Sequence, residues 1–493
     1  MRHHTLLLRW MRVLFPLIIV VAIAPQRPAH AASVIYIVPG GAGAQTGADW
    51  ANAKDLQSAL QSATSGDQIW VKAGIYTPSA SNDRIATFQL KSGVALYGGF
   101  AGTETDISQR NVAANVTILS GDLLGNDSGA VASNNPTRGE NSYHVVTSNG
   151  TDATAILDGF TITAGNANGG SLEFSSGGGL LNVKGAPVLG SLTLTSNSAA
   201  TTGGGMFNYI SSNPLLHDSS FINNSAGDSG GGLSSAGNSV FTSSITLSRV
   251  IISGNTAPYG GGVFCETSDA IIHRAVFQGN SATLVGGGIL SNYGHTTIAQ
   301  TLFNGNTAET YGSAMAYYKA NATISQVTFS ANWSKNNGGA LVNQESSPLI
   351  RNSIFWSNQG GQIYNYLAGN APDVQYSLVQ SGYITGTHVL DADPLFADAD
   401  GADNIAGTPD DDLRLQAGSP AIDAGNNALM PADLTDDNHN SNVSEPAPFD
   451  LDGNTRLSGP IVDLGAYEWQ VVPPIPPIPP ILPNQIYIAI VTR

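Results

Sequence analysis

The chain has 493 residues, with 41% hydrophobic and only 11% charged residues, 57 glycines and a formal net charge of −17. That apolar content excludes a disordered chain, and the acidic balance disfavours nucleic acid and anionic membrane surfaces as partners. The single cysteine, Cys265, excludes an intrachain disulfide framework, so stability must come from packing.

Residues 1–31 read as a signal peptide. Arg2, Arg9 and Arg12 form a basic start, Val13 to Ala24 is an apolar run, and Ala29-His30-Ala31 is a small-x-small cleavage pattern. The run is short for a span of ~20 residues. Cleavage after Ala31 removes four arginines and no acid, which takes the charge from −17 to −21. The mature chain has no second stretch long enough to span a bilayer, and it is expected to be secreted or held at the cell surface.

Residues 32–159 read as an N-terminal cap followed by the first coils of a solenoid. Lys54 to Ala63 places Leu56, Ala59, Leu60 and Ala63 on one helical face, suited to closing an open solenoid end. Gly66 to Val71 reads as the first strand, and the polar residues 121–143 as an inserted loop.

Residues 160–390 carry a repeat. An apolar residue, two variable residues and Asn recur, ending at Asn197, Asn224, Asn255, Asn280, Asn306, Asn332 and Asn358. Gly-rich triplets begin at Gly177, Gly203, Gly230, Gly260, Gly286, Gly312 and Gly338. Both markers keep a period near 26 residues. Within a period every apolar stretch is short, and none is long enough for a helix. Coils of about 26 residues, built from three short strands and three turns, are therefore predicted. They would stack at ~4.8 Å. Phe277, Phe303, Phe329 and Phe355 would then form an internal stack, and the seven asparagines a structural ladder in the left-handed turn conformation.

This Phe-x-x-Asn and Gly-Gly phrase resembles the repeats of polymorphic outer-membrane proteins. More broadly, the chain resembles the pectin-lyase-like superfamily. The resemblance implies an all-β fold, a right-handed parallel β-helix. It implies little about function, because that superfamily mixes lyases, hydrolases and adhesins.

Residues 391–470 form an acidic module, with 17 acids in 391–469 against Arg414 and Arg456. Asp391 to Phe396, Gly418 to Asp423 and Asp463 to Glu468 resemble the choice-of-anchor Q module, which implies surface placement. Asp398, Asp400 and Asp403 alternate like Ca²⁺ ligands, with Asp410, Asp411 and Asp412 near enough to complete a shell. Asp433, Asp436 and Asp437 are a weaker second candidate. The competing reading is a solvated acidic surface. Residues 471–493 are a Pro-rich linker and short apolar tail, read equally as a sorting tail or as a strand pairing with the body.

Three functions compete. The first is an adhesin-like or glycan-binding surface protein, whose partners would be polysaccharide or host or neighbour cell-surface glycans. Tyr209, Glu266, Asn292, Tyr318 and Gln344 fall at nearly one strand position and would face outward in a line. The second is a polysaccharide lyase or hydrolase, and the third a structural stalk. Aligned coils put no second acid beside Glu266, and paired carboxylates are what a hydrolase needs. Gly227 to Gly231 copies a serine-protease nucleophile motif, yet it lies in register with the Gly repeats and has no companion base. No catalytic residue is assigned. His217, His273 and His295 are not expected to align.

Overall fold

The computed structural model describes residues 33–335, 338–366 and 371–470. Residues 1–31, read as a signal peptide, and residues 471–493, read as a Pro-rich linker and tail, lie outside the described residues. The chain winds as a right-handed parallel β-helix, with parallel sheets of 23, ten and seven strands running along its axis. Among the described residues no helix is long and apolar enough to cross a membrane.

The start of the solenoid lies earlier than expected. Val34–Ile37 is its first strand and pairs with Gln68–Lys72. The run Val34-Ile35-Tyr36-Ile37 stands close behind the cleavage pattern, which obscured its strand character. Helix α1 (Leu56–Ser62) is capped by the Asp55 carboxylate, which accepts from the Ser58 amide. Its Leu56, Ala59 and Leu60 join the interior core beside that terminal strand.

The repeat coils from Leu180 to Ser334 hold four short strands each, not three. The stretch read as one strand around Ile272 to Phe277 is two, Ser268–His273 and Val276–Gln278. Between them Arg274 takes a left-handed conformation, φ 52°. The same corner is made by Ser191, Asp218, Arg249, Gln300, Gln326 and Asn352 in other coils. Such a residue costs ~1–2 kcal/mol away from glycine. Coil stacking offsets that: the Arg274 amide donates to the Ala299 carbonyl at 3.1 Å, and the Gln300 amide to Ser325 at 3.2 Å. Gly286, φ 75°, opens a different corner, where a Cβ on the following Gly287 would lie 2.3 Å from the Ser313 carbonyl.

The inside is a set of ladders. Phe303 stacks on Phe277 with ring centroids 4.6 Å apart and on Phe329 at 5.1 Å, and Phe355 continues the column at 4.2 Å. Asn197, Asn224, Asn255, Asn280, Asn306, Asn332 and Asn358 form a second column. Each Nδ2 from Asn197 to Asn332 donates to the next Oδ1 at 2.9–3.1 Å. Each Oδ1 from Asn224 onward also accepts the preceding asparagine's backbone amide. The asparagines are not themselves left-handed, which corrects the expectation. The preceding residue is, as at Ser196, Asn223, Gly254 and Ala331. The asparagine side chain serves instead to satisfy buried backbone groups just past that corner. Asn332 makes hydrogen bonds to Asn306, Phe303 and Asn358. Asn332→Ala orphans these buried partners and is expected to cost about 3 kcal/mol, measured by chemical denaturation. A loss below about 0.5 kcal/mol would remove the ladder's structural role.

Residues 391–470 lie along the flank of the coils. Phe396–Asp398 and Asp412–Leu415 pair antiparallel, and Phe396, Leu413, Leu415, Ala421 and Leu464 share a core with Leu302, Ile354 and Leu378 of the solenoid. Asp437 ties the segment to Arg249 and Arg274, each at 3.1 Å.

Candidate functional site

The ten-stranded sheet builds the candidate site from a four-residue strand repeated in register. In each strand the first and third side chains point inward and the second and fourth outward. The fourth positions run Tyr209, Ala236, Glu266, Asn292, Tyr318 and Gln344, each the direct partner of the next. All are half-buried. Glu266 accepts from the Asn292 amide group at 2.9 Å.

The second positions form a floor. Phe207, Phe264, Leu290, Ala316 and Val342 face outward in the next column, yet most are buried. What covers them is a wall of residues standing just before the Gly triplets: Tyr259, Val285 and Tyr311, bridged to one another coil by coil. Leu290, Ala316 and Val342 pack with Phe264, Val285 and Tyr311. Asp228, Tyr259, Phe264, Val285, Leu290, Asn292 and Tyr318 together line an open groove along the helix axis.

Tyr259, Phe264 and Tyr318 are the aromatic rings that line this groove, and further rings stand on neighbouring positions of the coils. Tyr293 meets Tyr318 edge-on at 5.3 Å, and Tyr311 lies near parallel to Tyr364 at 6.1 Å. Phe207 stacks on Tyr209 at 5.0 Å. Lys319 sits 5.0 Å over the Tyr318 ring and 3.6 Å from Glu345. Its hydrogen bond to the Tyr318 phenol holds that hydroxyl below its ordinary pKa. Tyr259, Tyr293, Tyr311, Tyr364 and Tyr366 were missed from sequence. A signal existed for two of them, since Tyr259 and Tyr311 both occupy the position before a Gly triplet.

Catalytic geometry is sparse here. In the Glu266 column the neighbouring coils supply Ala236 and Asn292, so no second carboxylate faces it there. The Ser229 hydroxyl is 3.0 Å from the Thr202 hydroxyl and buried in a ladder, not paired with a base. His217 and His273 do share one column, with Ser248 between them, contrary to expectation. Their roles diverge, because His217 contacts Asp218 at 2.9 Å while buried His273 contacts Thr435 at 3.0 Å.

The acidic-module residues are not gathered into one ligand set. Asp403, Asp410 and Asp411 converge on the Thr408 hydroxyl, at 3.3, 2.7 and 3.4 Å. Asp411 also accepts from Gly407 and Asn304, and Asp412 is turned to Arg414 at 3.0 Å. Asp398 is exposed at the end of the strand Phe396–Asp398, and Asp400 is exposed in the turn that follows it. No three oxygens of Asp398, Asp400, Asp403, Asp410, Asp411 and Asp412 lie within 4.8 Å of one another. The sequence spacing reads as a ligand loop, but short Asp side chains here satisfy nearby backbone amides. Asp433 and Asp437 are likewise engaged, Asp433 by the Asp437 amide at 3.0 Å and Asp437 by two arginines. Among the described residues the group that does converge is Asp122, Asp127 and Glu140, in the loop that sequence patterning left as polar.

No protein-family model and no curated protein matches the chain. Among solved structures, the crystal structure of pectate lyase Pel9A is similar over 89% of this chain and 97% of its own, at 13% identity and TM-score 0.51. A polygalacturonase from Erwinia carotovora ssp. carotovora is similar over 70% and 96%, at 12% identity and TM-score 0.25. Identity this low carries the fold alone in the first case, and the second similarity carries no argument.

Proposed function

We propose that the chain is an exported surface or extracellular β-helix protein that binds an extended polysaccharide along the outward face of its ten-stranded sheet. One observation carries this reading. Tyr209, Glu266, Asn292, Tyr318 and Gln344 stand in one register column beside an apolar floor and a tyrosine wall. A polymer lying along the axis meets an equivalent side chain from each coil, ~4.8 Å apart. Tyrosine faces pack against the apolar faces of sugar rings, while Glu266, Asn292 and Gln344 offer hydrogen bonds to hydroxyls. The leader-like residues 1–31, the outer-membrane-type repeat phrase and the anchor-like motifs in 391–470 support surface placement.

Polysaccharide cleavage is the second reading, favoured by the fold shared with a pectate lyase. The isolated Glu266 weighs against a two-carboxylate hydrolase, whose acids stand ~5–10 Å apart. A structural stalk is the third.

A glycan-array screen followed by affinity electrophoresis tests the proposal. Tyr318→Ala is expected to weaken binding about ten-fold, ~1.4 kcal/mol, with the fold unchanged because the side chain faces outward. Reducing-sugar and unsaturated-product assays on the bound polymer separate binding from cleavage. Failure to bind any polysaccharide would leave the stalk reading; product release would move the assignment to an enzyme.

A further inference from the structure

We propose that Asp122, Asp127 and Glu140 bind one calcium ion where the loop 121–143 meets the solenoid. One carboxylate oxygen from each of the three lies within 4.8 Å of the others. Clustered acids alone are common on surfaces, but a second observation points to a ligand here. Asn141 is fully buried, and its Nδ2 reaches Asp127 Oδ2 at 2.9 Å. Its Oδ1 has no hydrogen-bond partner, and neither has Asp127 Oδ1 or Glu140 Oε1, although all three atoms are buried. Buried oxygens without donors are costly, and adjacent side chains that share the defect share one remedy.

The surrounding cations do not supply it. Arg138 contacts Asp127 at 2.8 Å, but its other terminal nitrogen is used by the Gly165 and Ser196 carbonyls. Arg84 lies on the Glu140 side, and its donors go to the Asn141 and Asn166 carbonyls and to Asn168.

The donor set is hard oxygen throughout, which selects Ca²⁺ or Mg²⁺ over zinc or copper. Calcium fits better, because it accepts six to eight oxygens in irregular geometry and tolerates waters on the open side. The ligands are held in place before any ion arrives. Asp122 accepts the amides of Gly125, Asn126 and Asp127. The Asn141 Nδ2 also donates to the Ala164 carbonyl at 2.7 Å, and Asn166 Nδ2 to the Arg138 carbonyl at 2.7 Å. An ion here would pin a loop of more than 20 residues onto the coil corner at Gly165 and Ser196.

Calorimetric titration of Ca²⁺ into the chelator-treated full chain tests this. One equivalent should bind, and Glu140→Gln and Asp127→Asn should each weaken it at least ten-fold. Asp403→Asn with Asp410→Asn, in the acidic module, should leave that binding unchanged. Calcium should raise the melting temperature of the parent but not of Glu140→Gln, whose circular dichroism in EDTA should match the parent's in EDTA. The site is refuted if the parent shows no saturable binding, or if Glu140→Gln binds like the parent. Equal affinity for Mg²⁺ would overturn the choice of ion.

Discussion

Phe303→Asp is expected to break the solenoid at its middle, giving insoluble protein or a melting temperature lowered by more than about 20 °C. Phe303 is fully buried between Phe277 and Phe329, with near-parallel rings on both sides. Losing a buried Phe costs about 3–5 kcal/mol by itself. The carboxylate adds several kcal/mol more, because that column offers only apolar rings and no cation. Together these terms rival the whole stability of an ordinary domain, about 5–15 kcal/mol. A solenoid concentrates the damage, since each coil contacts mainly its neighbours and a broken interface splits the stack in two. Phe303→Leu separates volume from charge and should cost only about 1–2 kcal/mol. A Phe303→Asp protein that melts like its parent would place that column outside the core.

Much of this architecture is legible before any coordinates, for a simple reason. Parallel coils repeat their chemistry at one period, so inward positions such as Phe277, Phe303 and Phe329 announce themselves by recurrence. The Asn column is found the same way. What recurrence does not reveal is backbone conformation. The left-handed corners at Arg249, Arg274, Gln300 and Gln326 use residues with no propensity for that region, because hydrogen bonds from the next coil impose it. Propensity therefore hid the fourth strand of these coils. The groove was half legible: its fourth-position column follows from Gly-triplet alignment, whereas its wall depends on Tyr259, Val285 and Tyr311 folding over the floor. The acidic residues misled by local spacing. Asp398, Asp400 and Asp403 imitate a ligand loop, but Asp403 caps its own turn at the Ile405 amide and Asp398 and Asp400 are exposed, while Asp127 and Glu140 stand far enough apart in sequence to escape notice.

The acidic segment has its own critical residue, and Arg456→Leu is expected to unfasten it. Arg456 is fully buried among three buried carboxylates, Asp450, Asp463 and Glu468. It donates to the Asp463 and Gly465 carbonyls at 2.9 and 2.8 Å and lies 3.7 Å from Glu468. Removing one partner of a buried charge network typically costs about 3–5 kcal/mol. Because this segment covers Leu302, Ile354 and Leu378, the variant should expose apolar surface, bind a hydrophobic dye and be cut by protease between residues 391 and 470 while the coils stay folded. The defect should depend on pH with a definite sign. Burial already pushes Glu468 up to about 7, against Arg456, which pulls it down, and Asp463 is raised as well. A carboxyl whose folded pKa is raised stabilises fully below its unfolded pKa and loses that contribution as pH rises through the folded value. Without Arg456 both carboxyls rise further, so the loss relative to the parent should be greatest near pH 8 and smaller near pH 5. Equal losses at the two pH values, read by denaturant titration, would mean that Arg456 acts through packing and not through its charge.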